Sequence, residues 1–135
     1  MIGGRLGRTE INNVKRELSD DGWERGWKVV RVKDGLFTSS ACNDLWEMES
    51  QVNYGVMSRA NPKPGCGPLV CFTNVREARE FRDGMGHLHE DWRFGILECM
   101  YFPSDEDKVW DKNHTKKLSD MPAGSVLAGA IYPVD

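Results

Sequence analysis

The sequence predicts an α+β domain: a mixed or antiparallel sheet of about five strands, one main helix across a face, and a short helix ahead of it. Three stretches carry that expectation. Residues 69–72 are an apolar run closed on the N-side by Gly67-Pro68, as suits a buried strand, and a helix follows at once. Asn74 can cap its first amides while Glu77 reaches back, and Val75, Ala78 and Phe81 recur at helical spacing up to a stop near Gly84. Asp34-Gly35 is a two-residue hairpin signal between the Val-rich stretch 27–33 and its return, 36–40. Residues 92–102 are apolar on both faces, which marks a central strand. The expected strands are therefore 27–33, 36–40, 68–73, 92–102 and 125–133, with the helix over 74–83.

Size and composition narrow the class. At 135 residues with 39% hydrophobic residues, five Trp and five Phe, the chain can fill one core, and no second domain is needed. The net charge of -3, from 18 basic and 21 acidic residues, argues against duplex nucleic acid as a partner. No apolar run approaches the roughly 20 residues of a membrane span. Met1-Ile2-Gly3-Gly4 opens no secretory segment. The expectation is a soluble, cytoplasmic protein with no membrane partner. Cys42, Cys66, Cys71 and Cys99 contain no Cys-x-x-Cys pair, and those at 71 and 99 fall in expected strands, so reduced structural thiols are the favoured reading. His87-x-His89 with Cys66 fits no defensible zinc spacing, so no metal and no cofactor is expected.

Taken in order, residues 1–8 have little to bury and read as a fraying start. Thr9 offers a cap for an amphipathic helix over 10–19, with Ile11, Val14 and Leu18 on one stripe that must dock on the sheet or on a partner. Residues 1–22 are thus a flexible N-terminus carrying a short helix, and 23–135 are the single domain. The pattern is mixed over 41–54, where Leu45, Trp46 and Met48 suit a helical turn, while 51–57 suits a strand. Three of six prolines fall in 59–68, which must be loop, and its rigidity makes it a usable contact surface. A second loop is expected over 83–91. Residues 104–121 read as loop with one helical turn, before Pro122-Ala123-Gly124 leads into the closing strand.

Glu98 is the candidate residue with the sharpest chemistry. Strict alternation places it on the face of Trp92, Phe94, Ile96, Met100 and Phe102, where a carboxylate must be paired, protonated or at a cleft edge. Arg31 shares a face with Trp27 and Val29 on the first strand, and a guanidinium is the usual partner for such an acid. A structural ion pair is the favoured reading. Thr38-Ser39-Ser40 ends the second strand and Glu47-x-Glu49 follows. An Arg on one strand, a Ser/Thr run on a later one and a ribose-gripping Glu resemble the order in one class of ADP-ribosyltransferases. That resemblance implies Arg31, Ser39 and Glu98 (or Glu49) as a catalytic set and leaves room for a small nucleotide ligand. Arg31 stands only seven residues before Thr38, which departs from that fold's spacing. His87 and His89 read as exposed loop histidines, and buried Cys71 and Cys99 make poor nucleophiles.

The order Trp27-Lys-Val-Val-Arg31, Gly67-Pro-Leu-Val-Cys-Phe-Thr73, Leu97-Glu-Cys99 and Pro122-Ala-Gly-Ser-Val-Leu-Ala128 resembles a type of small uncharacterised phage and bacterial protein. It spans roughly residues 27–134 and brings no activity with it. What it implies is an accessory protein that binds and blocks a host protein, such as a component of a defence system. Trp23, Trp46, Tyr54, Arg59 and Trp110 lie in or beside expected loops and element ends, and residues of these types are enriched at interface hot spots. The expected function is therefore non-enzymatic protein binding, with these five as binding residues and an ADP-ribosyltransferase-like enzyme as the alternative.

Overall fold

The computed structural model describes residues 7–39 and 52–135. In chain order it holds α1 (Arg8–Asp20), β1 (Glu24–Lys33), β2 (Leu36–Ser39), β3 (Leu69–Phe72), α2 (Val75–Leu88), β4 (Arg93–Pro103), β5 (Lys108–Trp110), β6 (Thr115–Lys117), a short 3-10 helix (Leu118–Asp120) and β7 (Ser125–Pro133). The α+β expectation holds, and every strand pairing is antiparallel.

The five-stranded sheet runs β2-β1-β3-β7-β4, and β4 also pairs with β1. That extra pairing closes the sheet on itself. β1 and β4 run together from Glu24↔Tyr101 to Val32↔Arg93. β4 turns its other edge to β7, β7 pairs with β3, and β3 meets β1 at Phe72↔Trp27. Between β2 and β7 the chain over 52–60 bridges the gap, through Thr38↔Asn53 and Ala60↔Ile131. Alternation then divides each strand into an inner and an outer face. Val30, Leu69, Cys71, Leu97, Cys99, Tyr101, Ala128 and Ile131 point inward and fill the interior together with Val52, Tyr54 and Ala60.

The helices cover the outer face. On α2 the fully buried Ala78, with Phe81, packs on Phe72, Val29 and Ile96. Ile11, Val14 and Leu18 of α1 pack with Trp23, Met100, Ala130 and Val134, so the apolar stripe of the N-terminal helix docks on the sheet. Both glycines that stop or turn the chain here have a left-handed backbone. Gly22 (φ +92) ends α1, with its amide donating to Ser19 O and that of Trp23 to Leu18 O, the paired bonds of a Schellman stop. Asp34 (φ +52) and Gly35 (φ +78) form the hairpin turn that the dipeptide predicts.

Three expectations are corrected. The α1 helix begins at Arg8 behind Gly7, so Thr9 lies inside the first turn and is not its cap. The α2 helix runs past Gly84 to Leu88, which places His87 on a helix and leaves little of the expected loop 83–91. Its end is closed by a local turn, in which His89 N donates to Met85 O and the His89 ring stacks on Trp92 at 4.0 Å, and this helps offset two helical glycines. Residues 104–121 contain the β5–β6 hairpin as well as the short helix. Val109 is its only buried hydrophobic residue, too little for a period to register in sequence.

Closure leaves little room where β1 and β3 converge. A Cβ added at Gly26 would meet the Tyr101 ring at 2.9 Å and Phe72 O at 3.0 Å. Gly26→Ala is therefore expected to destabilise the fold by about 1–3 kcal/mol in urea unfolding, as overpacking does. An unchanged midpoint would show that this junction is loose.

Candidate functional site

Register fixes what Glu98 can touch. It stands opposite Trp27 on the outer face, between the two helices. Lys15 Nζ from α1 donates to its Oε2 at 2.8 Å, and Arg25 Nε donates to the same oxygen at 2.6 Å. The Glu98 side chain is 13% exposed. Partial burial pushes its carboxyl up, but the hydrogen bonds from Lys15 and Arg25 more than offset this and hold it below the ordinary glutamate value. The expected ion pair exists, with different partners.

Arg31 does not reach Glu98. It stands opposite Phe94, four positions and about 13 Å of strand away. Its guanidinium instead lies 3.7 Å over the Trp92 ring. Ser39 pairs with the inward-facing Val30, and its hydroxyl accepts from the Val52 amide at 2.9 Å. Arg31 and Ser39 thus occupy opposite faces of the β1–β2 ladder, and the three residues of the enzyme alternative do not converge. Glu47, Glu49 and Ser40 lie outside the described residues, as does Trp46.

The expected binding aromatics also separate. Tyr54 is 2% exposed and belongs to the interior, where burial pushes its hydroxyl well above the ordinary tyrosine value. Trp23 is buried because it follows the α1 stop directly and packs back on the helix. Its ring meets Phe102 edge-on at 5.8 Å, and the exposed Arg59 lies 5.4 Å over it. Trp110 covers Gly67, where an added Cβ would strike the indole, and its Nε1 donates to Glu106 at 2.8 Å. Of the five, Trp23 and Arg59 come together and the other described ones do not.

The surface feature that sequence reading missed lies at the C-terminal end of α2. A cleft of about 540 Å³ is lined by Arg82, Asp83, Gly86 and His87 of the helix and by Trp92 and Phe94 at the start of β4. Trp92 and Phe94 form its aromatic floor, with centroids 6.1 Å apart. Trp92 is held flat by two planar groups, His89 and Arg31. Arg82 Nε donates to Asp83 at 3.2 Å, so the one acidic lining group is already engaged. Leu88, 76% exposed, follows His87 directly at the helix end. The only advance signal was the alternation that puts Trp92 and Phe94 on one face. The expected helix end at 83 hid the other wall.

Inside the sheet, Lys28 was not anticipated either. It is 6% exposed, donates from Nζ to Val70 O at 2.7 Å and sits 5.0 Å over the Tyr54 ring. The Cys99 thiol hydrogen-bonds Cys71, and this together with burial pushes it well above the usual cysteine range, so it is not poised as a nucleophile. Among the described residues no group of three His, Cys, Asp or Glu is arranged to hold a metal ion, and no helix is long and apolar enough to cross a membrane.

Comparison with protein-family models, with curated proteins and with solved structures returns no match for this chain.

The Glu98 cluster makes a pH prediction. A carboxyl with a depressed folded pKa contributes stability that is present above its unfolded value of about 4.3 and lost as pH falls through the lower folded value. Glu98→Gln is expected to cost about 1–3 kcal/mol at neutral pH. The gap from the parent should close below about pH 4. A gap that stays constant down to the acid transition would remove the ion cluster from the account of α1 docking.

Proposed function

We propose that this protein is a non-enzymatic binding protein that docks on another protein, acting as small phage accessory proteins do by occupying a host protein such as a defence component. One observation carries the docking part: the Trp92 cleft has an aromatic floor of Trp92 and Phe94 walled by Arg82, Asp83 and His87, and the exposed Leu88 follows His87 at the same helix end. Trp and Arg are the residue types that dominate interface energetics, and a shallow aromatic cleft bordered by an exposed Leu matches a protein contact better than an enclosed small-molecule site. The phage context is supported by the fold-position resemblance over residues 27–134. The enzyme reading has less support, because Glu98 is engaged by Lys15 and Arg25 while Arg31 faces a different part of the surface.

The test is capture from host lysate by tagged parent protein, Trp92→Ala and Leu88→Glu in parallel. Leu88→Glu changes an exposed side chain and should leave Tm within about a degree or two, as surface substitutions do. The expected result is a partner retained by the parent and lost by both variants. Capture that ignores both substitutions would overturn docking at this cleft. A rise in parent Tm with NAD that Glu98→Gln abolishes would replace the proposal with the enzyme reading.

A further inference from the structure

One stretch of β4 keeps an open edge in a sheet that is otherwise closed. Along one side β4 pairs with β1 without a break from Arg93 to Tyr101, whereas on the other it pairs with β7 only from Cys99 to Pro103. Val134 and Asp135 carry that second ladder one residue farther, because Glu98 N donates to Asp135 O and Val134 N donates to Glu98 O. In an antiparallel strand the N–H and C=O of one residue point to the same side, and every second residue repeats the direction. Glu98 faces the β7 side, so Ile96 and Phe94 do too, while Gly95 and Leu97 turn to β1. Among the described residues nothing bonds the backbone N–H or C=O of Ile96 or Phe94.

An unpaired row of this kind is a template for another strand, and proteins commonly guard it with charge, proline or a bulge. Such guards are lacking within this row. Residues 94–96 read Phe-Gly-Ile, none of them fully buried, with Arg93 alone supplying a charge beside them, and the bulge of β4 lies at its far end, between Phe102 and Pro103. What matches these donors and acceptors in direction and spacing is the main chain of an extended segment. The row also adjoins the cleft, since Phe94 belongs to both. A residue paired with Phe94 sets its side chain on the same outer face, with the two Cβ atoms about 5 Å apart, and so stands at the aromatic floor.

We infer that the open edge of β4 receives an extended segment of a partner protein as an added antiparallel strand, in line with β7. Two alternate residues of that segment pair with Ile96 and Phe94, each exchanging an N–H and a C=O with its opposite. Both are apolar, because their side chains fall beside those of Ile96 and Phe94, and the one opposite Phe94 borders the Trp92 cleft. The inference rests on the docking reading above and adds how the partner's chain is held.

Amide NMR on the full chain tests it in two steps. Without any addition, the Phe94 and Ile96 amides should exchange hydrogen rapidly while those of Gly95 and Leu97, bonded to β1, are protected. Slow exchange at 94 and 96 would show that the edge is already covered and would overturn the inference. The probe is then the capped peptide Lys-Thr-Val-Thr-Phe-Thr-Lys, whose Val and Phe take the places opposite Ile96 and Phe94. It should shift the Phe94 and Ile96 amides saturably and slow their exchange. N-methylation of the Val and Phe amides, which face β4, should weaken binding about tenfold or more, since two main-chain hydrogen bonds are lost. N-methylation of the Thr between them, whose amide faces away, should leave it nearly unchanged. No shift with the parent peptide, or equal loss on methylating either set, would overturn strand addition. If the peptide fails while Trp92→Ala and Leu88→Glu still abolish capture from lysate, docking stands and only the added strand is wrong. If capture ignores both substitutions, docking itself is wrong.

Discussion

The pairing of β1 with β4 is the constraint on which the rest of this molecule depends. Nine consecutive residue pairs fix the register. Because a one-residue slip would exchange inner and outer faces, that register decides which side chains fill the interior and which meet the helices. It sends Lys28, Val30, Leu97 and Cys99 inward and Trp27, Val29, Ile96 and Glu98 outward. Both helices, the ion cluster and the Trp92 cleft all lie on the outer face so defined.

Charge is handled differently on the two sides of the sheet. Outside, Glu98 joins α1 to β1 by accepting from Lys15 and Arg25, and solvent still reaches Arg25, whose side chain is 59% exposed. Inside, Lys28 donates to the Val70 carbonyl and lies over the Tyr54 ring. Arg31 over Trp92 lies between these cases, since its face is covered by an aromatic ring while its donors have no acceptor among the described residues.

Sequence patterns read the fold well where one physical signal dominates. Asp34-Gly35 allows only a tight turn, Asn74 with Glu77 writes its own helix start, and the two-sided apolar run of β4 requires neighbours on both edges. Single-residue signals failed where the folded surroundings outweighed them. Gly84 predicts a stop, yet α2, packed on β1, β3 and β4, runs on to Leu88 and closes with the stack of His89 on Trp92. The partner of Glu98 was misjudged for a related reason. Alternation gives the face of Glu98 but not the distance along it, and the N-terminal helix that supplies Lys15 had no readable docking site. The cleft was invisible because its two walls belong to elements whose meeting point only the folded chain defines.

Burial also separates the thiols by kinetics. Cys71 and Cys99 have no exposed surface, whereas Cys66 is half-buried on a loop. An alkylating reagent can reach the first two only in molecules whose sheet has opened, so, where reclosing outpaces the chemistry, their labelling rate scales with the open fraction and reports the unfolding equilibrium. Cys66 is modified from the folded state. Among the described cysteines, the lag between Cys66 and the interior Cys71 and Cys99 thus measures how rarely the closed ring of strands comes apart.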